Sequence, residues 1–449
     1  MDDRYKDFQA KMAGNERAQR ELQRLLDNSD KMPEQQSAAE LLPVEEMEER
    51  LQYINMLEKH WHDNFAVLSQ KPEDAYRGFN DAELSGLLHM DTGYLRDTLM
   101  KWSHTGLLIQ DIQCIPAALK IFATKALSAA EAEAAQVVSR EIPPLRPPSV
   151  SSASGNDDDE KEATEKRRST KLDSSGKAQR NNYYAEKRRH LDGHRCVLTG
   201  IRDAQVCHII PFAANATKDG MDRWHKVIQA SMQLFLQERP GVDFGAEARL
   251  HSLFGFEQGV SGRHWNTISL TPTMHDWWGR GYFGLKYIGT NDANVQDPNA
   301  VVTLRIQFHW MPWRHRKLGQ KPAPLGRTRE DILAAIPTSC GQPSSWQGEP
   351  MVAMSRPETG FNLETGDVFG IHIPRRDMEK MVEAFRMQWA LIKLLAMAGG
   401  AEAVADYPDD PEFLDENWEL PGFKAWRLAC MDEWAAVAEE EKRVEEGEE

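Results

Sequence analysis

Cysteine is scarce in this 449-residue sequence: five residues, at 114, 196, 207, 340 and 430, with no pair at CxxC spacing. A small, odd and scattered set excludes a disulfide-built scaffold and fits a reducing compartment. Long apolar runs are missing too. The best stretch, Met381–Gly400, is interrupted by Glu383, Arg386, Gln388 and Lys393, which excludes a membrane span. Met1-Asp2-Asp3-Arg4 opens onto no apolar h-region, so a secretory leader is not expected. The chain is expected inside the cell, nuclear or cytoplasmic, without a membrane partner. Positive charge is in deficit, with 54 Lys and Arg against 70 Asp and Glu, a formal net charge of −16. That balance excludes a protein that coats nucleic acid along its whole surface.

What is present is an ordinary globular composition, 41% hydrophobic and 28% charged, with length for two to four domains. The charge is unevenly placed. Residues 165–202 hold eleven Lys and Arg against four acids, while residues 410–449 hold fourteen acids against four bases. A basic collar inside an acidic chain points to a local anion partner.

Apolar periodicity divides the chain. Met47, Leu51, Ile54, Leu57, Trp61, Phe65 and Leu68 step by three or four, an apolar stripe on a helix of about seven turns. The stripe suits packing in its own domain, and self-association through helix 43–69 is the alternative. Residues 79–110 read as helix, turn at Asp91-Thr92-Gly93, then helix. The hairpin is similar to a winged helix-turn-helix, with Arg96 and Lys101 as the contacts a recognition helix would offer. Residues 141–182, with Pro143-Pro144, Pro147-Pro148 and then Ser, Gly, Asp and Lys, read as a disordered linker that holds much of the basic cluster. From Tyr183 a packed domain begins. Phe283, Leu285 and Tyr287 alternate, as do Val302, Leu304, Ile306, Phe308 and Trp310, which gives two strands around a loop at 289–300. A third strand is expected at 366–373, then a helix with Met381, Phe385, Trp389, Ile392 and Leu395 inward, closed by Gly399-Gly400. The expected organisation is a helical region over 1–140, the linker, a packed domain over 183–403 and an acidic helical tail over 404–449. The fold class is α+β.

Three pieces carry chemistry in chain order: Cys196-Val-Leu-Thr-Gly200, Val206-Cys207-His208-Ile209-Ile210-Pro211, and Asn266-Thr-Ile-Ser-Leu-Thr-Pro-Thr-Met-His275. Singly, each has a bland reading: a structural histidine at a strand end, a turn asparagine, a histidine in the first turn of a helix after Thr271-Pro272. Together they resemble the HNH endonuclease motif, the ββα-metal or His-Me finger. The stretch 183–403 is also similar to uncharacterised fungal proteins of that family. The resemblance implies a ββα-metal domain elaborated with extra antiparallel strands and a C-terminal helix. It implies a metal-dependent endonuclease in which His208 is the general base. His275 would be a metal ligand, and Asn266 either a ligand or the group that orients His208. It further implies one divalent ion, Mg²⁺ or Mn²⁺ with Zn²⁺ as an option, and nucleic acid as partner, DNA ahead of RNA. The residue types suit that work, because neutral imidazole deprotonates water near neutral pH and a divalent ion stabilises the departing oxygen.

Two departures qualify the resemblance. Many relatives carry Asp or His before the base, where this chain has Cys207, a thiol better suited to soft metals or to a core. Some relatives bind a structural zinc through two CxxC pairs. The matching positions here are Cys196, Thr199, Thr271 and Met274, so no structural zinc is expected. The alternatives to a nuclease are a degenerate HNH fold that binds nucleic acid or protein, and a DNA binder working through 79–110. A further helix is expected after His208, with Met221, Trp224, Val227, Ile228 and Phe235 inward, while His194, His225, His251 and His264 read as surface or local hydrogen-bonding residues.

Overall fold

The computed structural model describes residues 15, 19–20, 23, 34–35, 40–68, 78–100, 108–109, 111–112, 114–123, 178, 182–218, 220–221, 224, 258–291, 296–312, 327–335 and 352–400. The expected linker lies outside the described residues except for Ala178 and Asn182, and the acidic tail over 404–449 lies wholly outside them. Mixed helices and two small antiparallel sheets agree with an α+β chain.

A two-residue strand, β1 (Glu34–Gln35), precedes the helices α1 (Met47–Leu68), α2 (Asp81–His89) and α3 (Thr92–Leu99). The apolar stripe of α1 is real through Trp61, and Met47, Leu51, Ile54, Leu57 and Trp61 are buried in this chain's own core. The side chains of Phe65 and Leu68 lie outside the described residues. Helix α2 opens on a capping box: the Glu83 amide donates to Asn80 Oδ1 at 3.0 Å, and the Asn80 amide donates to Glu83 Oε2 at 2.8 Å. The expected turn at 91–93 is shorter than its composition suggests. Asp91 accepts the Tyr94 amide at 2.8 Å and caps α3, so Thr92 and Gly93 are already helical. Arg96 on α3 donates to Asp97 at 3.1 Å, and Lys101 lies outside the described residues. Arg50, buried on α1, donates to Glu46 at 3.0 Å and to Thr92 Oγ1 at 2.9 Å, which ties α1 to α3.

Next come α4 (Asn182–Leu191), the hairpin strands β2 (Gln205–His208) and β3 (Thr267–Leu270), and α5 (Pro272–Arg280). Strands β4 (Phe283–Asn291) and β5 (Val301–Trp310), helix α6 (Arg329–Ala335), β6 (Asp367–Pro374) and α7 (Arg375–Met397) complete the described elements. The larger sheet has the order β1-β6-β5-β4, antiparallel throughout. The three long strands fall where the alternation places them. β4 runs on into the expected loop because an irregularity between Tyr287 and Gly289 lets pairing resume through Asn291. β1 has no periodicity to announce it. Its pairing is reinforced by Glu34, whose two oxygens each accept from Arg305 at 2.7 Å.

Helix α7 packs on β4, on α2 and on the single turn His264–Asn266. Gly284 lets it approach, since a Cβ there would stand 2.8 Å from Ile392 Cγ2 and 3.0 Å from Trp389 Cζ3. One apolar cluster runs from Leu42 through α1, α2 and the hairpin to Ala398. Helices on the two sides of the expected linker therefore share a core. Among the described residues no helix is long and apolar enough to cross a membrane.

Candidate active site

Strands β2 and β3 pair antiparallel in the register Gln205↔Leu270, Val206↔Ser269, Cys207↔Ile268 and His208↔Thr267, and α5 follows β3 after one residue. Thr271 caps that helix through the Met274 amide at 3.3 Å, with Pro272 at its first position. His208 is the last residue of β2 and half-buried, its ring 5.5 Å from that of Phe212. Asn266 is fully buried. Its Oδ1 accepts the Ile210 amide at 2.9 Å, while its Nδ2 donates to Ile210 O at 2.9 Å and Ser261 O at 2.8 Å. Its backbone carbonyl accepts the Ile209 amide at 2.8 Å. The side chain thus behaves as one more rung of the β2–β3 ladder, just past His208. Asparagine suits this place because one acceptor and two donors are needed on a short stem.

A second buried amide completes the brace. Asn215 Oδ1 accepts the Ser261 amide at 3.3 Å and the Ser261 hydroxyl at 3.0 Å, and Asn215 O accepts the Gly259 amide at 2.8 Å. Segments 209–216 and 259–266 are therefore interlocked by two asparagines. Nothing in the sequence pattern singled out Asn215. A lone Asn in Phe-Ala-Ala-Asn-Ala carries no spacing signal.

His275 projects from α5 toward β2, where its Nδ1 lies 3.2 Å from Gln205 Oε1. Gln205 is another residue that sequence reasoning passed over. Strand alternation puts Gln205 and Cys207 on one face of β2, and Val206 and His208 on the other. His208 and Asn266 are thus joined through the backbone of Ile209 and Ile210, whereas His275 is joined to the strand through Gln205. Cys207 is completely buried, its thiol donating to Gln205 O at 3.3 Å.

The four positions that match the zinc ligands of some relatives are all buried and locally satisfied. Cys196 Sγ accepts the Thr199 amide at 3.5 Å, Thr199 Oγ1 accepts the Ile201 amide at 3.4 Å, Thr271 caps α5, and Met274 sits in the core. Among the described residues no group of three or more His, Cys, Asp or Glu side chains is placed to hold a metal ion.

The surroundings are charged but largely internally matched. Arg188 and Asp192 form a fully buried ion pair at the end of α4. Arg188 Nε donates to Asp192 Oδ2 at 2.9 Å, and the same oxygen accepts the Ser269 amide at 2.9 Å. A further Arg188 bond to His372 O, 2.9 Å, connects the hairpin to β6. Arg189 pairs with Glu186 and Arg195 with Glu358, each at 2.9 Å. Three arginines of the basic collar thus already face carboxylates. His264, two residues before Asn266, is buried, with Nε2 3.0 Å from Asp377 Oδ2. Burial lowers its pKa against the pull of Asp377.

With this geometry in place, residues 196–286 match the family model described as HNH endonuclease, about a fifth of the chain. No curated protein and no solved structure matches the chain. An HNH segment suggests nuclease or nucleic-acid-binding function.

Proposed function

We propose that the hairpin β2–β3 with α5 is a ββα finger that hydrolyses nucleic-acid phosphodiester bonds, with His208 as general base. The observation that carries this reading is the Asn266 clamp, three buried hydrogen bonds that fix the backbone directly after His208. A base works only if its nitrogen is held where the attacking water will stand. His208 takes a proton from water, the water oxygen bonds to phosphorus, and the bond to the leaving oxygen breaks. Asn266 is a positioning residue in this scheme, its amide engaged by Ile210 and Ser261. The preferred polymer is DNA ahead of RNA.

Among the described residues the donors do not fit a resident divalent ion. His275 with Gln205 offers one imidazole and one amide oxygen, while Mg²⁺ calls for octahedral oxygen and zinc for a tetrahedral set. Cys207 is turned to its own strand. That observation favours a second reading, an HNH fold that binds nucleic acid without cutting it.

The two readings separate in a nicking assay on purified full-length protein with Mg²⁺, Mn²⁺ or Zn²⁺ added. Hydrolysis is expected, with His208→Ala slower by about 10²–10⁴-fold and binding retained. Full activity in His208→Ala removes His208 as base. Wild-type protein that binds but cuts with no ion establishes the second reading.

A further inference from the structure

Among the described residues few large apolar side chains are exposed, and one of them, Tyr183 at 40%, stands near the site. Five residues before it, the Ala178 amide donates to Ala216 O at 2.7 Å, and Ala178 packs with Phe212. Phe212 is the ring that faces His208. Five residues of chain reach at most ~18 Å, so Tyr183 lies within a few nucleotides' span of that contact.

Behind Tyr183 is a built wall rather than loose surface. Tyr184 meets it edge-on at 5.3 Å and stacks on His264 at 6.1 Å and 14°, while the Arg263 guanidinium sits 4.7 Å over the Tyr184 ring. Among the described residues the Tyr184 hydroxyl is buried with no hydrogen-bond partner, a polar group left open within this wall. Lys187 follows Tyr183 by one helical turn on the same face of α4 and acts electrostatically on His264 and Asp377.

Resting on the nucleic-acid reading above, we propose that Tyr183 is a stacking platform for an unpaired base. The site then takes single-stranded or locally unpaired nucleic acid in preference to uninterrupted duplex. Exposed aromatics interleaved with cations suit single strands, because every base has a π-face, whereas bases inside a duplex are already stacked. Duplex affinity comes mainly from cations that displace counterions along the backbone. Here Arg188, Arg189 and Arg195 face Asp192, Glu186 and Glu358 instead, and the chain carries −16. Stacking is the stronger handle that this surface offers.

The test uses full-length protein with a chelator present, so that binding is read without cleavage. The probes are a labelled oligothymidylate and a blunt duplex of equal length. Wild type is expected to bind the single strand more tightly. Tyr183→Ala and Tyr183→Leu should weaken that binding by roughly five- to a hundredfold, while Tyr183→Trp keeps it and duplex binding stays within about twofold. Unchanged melting of each variant shows that the fold is intact, as expected for an exposed side chain. Full affinity in Tyr183→Leu, equal losses on both probes, or a wild-type preference for duplex overturns this inference and leaves the proposed function standing. Wild type that binds neither probe overturns both.

Discussion

The β2–β3 hairpin has strands of four residues, and buried polar groups bind it together: Asn266 to Ile210 and Ser261, Asn215 to Ser261, and Asp192 to Arg188 and the Ser269 amide. The β4–β5–β6 sheet has strands of eight to ten residues and is held by apolar packing, with Phe283, Phe308 and Trp310 in mutual ring contact and α7 laid against β4. The difference is one of tolerance. Apolar contacts weaken gradually when a methylene is removed, whereas a buried amide clamp leaves every former partner without a bond. A site that must hold one backbone geometry gains from the second kind of bond, and a scaffold from the first.

The sharpest break of this comparison is Asn266→Ala. It strips partners from Ile210 N, Ile210 O and Ser261 O, and the expected loss is about 3–5 kcal/mol by urea denaturation. Ile306→Val in the buried face of β5 should cost only about 0.5–1.5 kcal/mol. Equal losses would remove the contrast between polar clamp and apolar scaffold.

The same contrast governs what could be read from sequence. Periodicity located β4, β5, β6, α7 and the α1 stripe, because those elements bury one face along their whole length. The hairpin is too short for periodicity, and its place came from the His208, Asn266 and His275 spacing. Spacing names residues but not their bonds. It left Asn266 open between ligand and positioning group, and it carried nothing about Asn215 or Gln205, whose partners lie 46 and 70 residues away. The basic collar looked like a free anion surface because its acids are partly remote. Glu358, which takes Arg195, lies 163 residues further on. β1 was illegible for a related reason, since two residues have no period.

Acid should act on the scaffold through His309. Burial, with Lys286 adding to it, pushes this imidazole down to about 4, and its Nε2 lies 2.8 Å from Gln307 Oε1. The folded state holds the neutral ring, while the unfolded chain takes up a proton near the ordinary value of about 6.5. Stability from this group is therefore complete above about pH 6.5 and is lost as pH falls toward 4, by up to about 3 kcal/mol. Glu83, pushed up to about 7 by burial, acts with the opposite sign, because burial favours its neutral form. Comparing urea midpoints of wild type and His309→Leu at neutral and acid pH isolates the histidine. A shallower acid limb is expected in the variant, and an identical limb would exclude His309 as a source of the acid sensitivity.

The smallest expected effect belongs to the collar. Arg195 and Glu358 are each 41% exposed and 2.9 Å apart, a surface pair worth at most about 1 kcal/mol. Arg195→Gln should therefore shift the melting free energy by less than about 0.5 kcal/mol. Its effect on nucleic-acid binding is the more telling measurement. A cation that contacts phosphate contributes about one unit to the slope of log affinity against log salt, and its removal lowers the slope by about that much. Because Glu358 already neutralises Arg195, the slope should stay unchanged within about half a unit. A full unit lost would show that the bound polymer displaces Glu358, so that the collar is an electrostatic surface held shut by the chain's own acids.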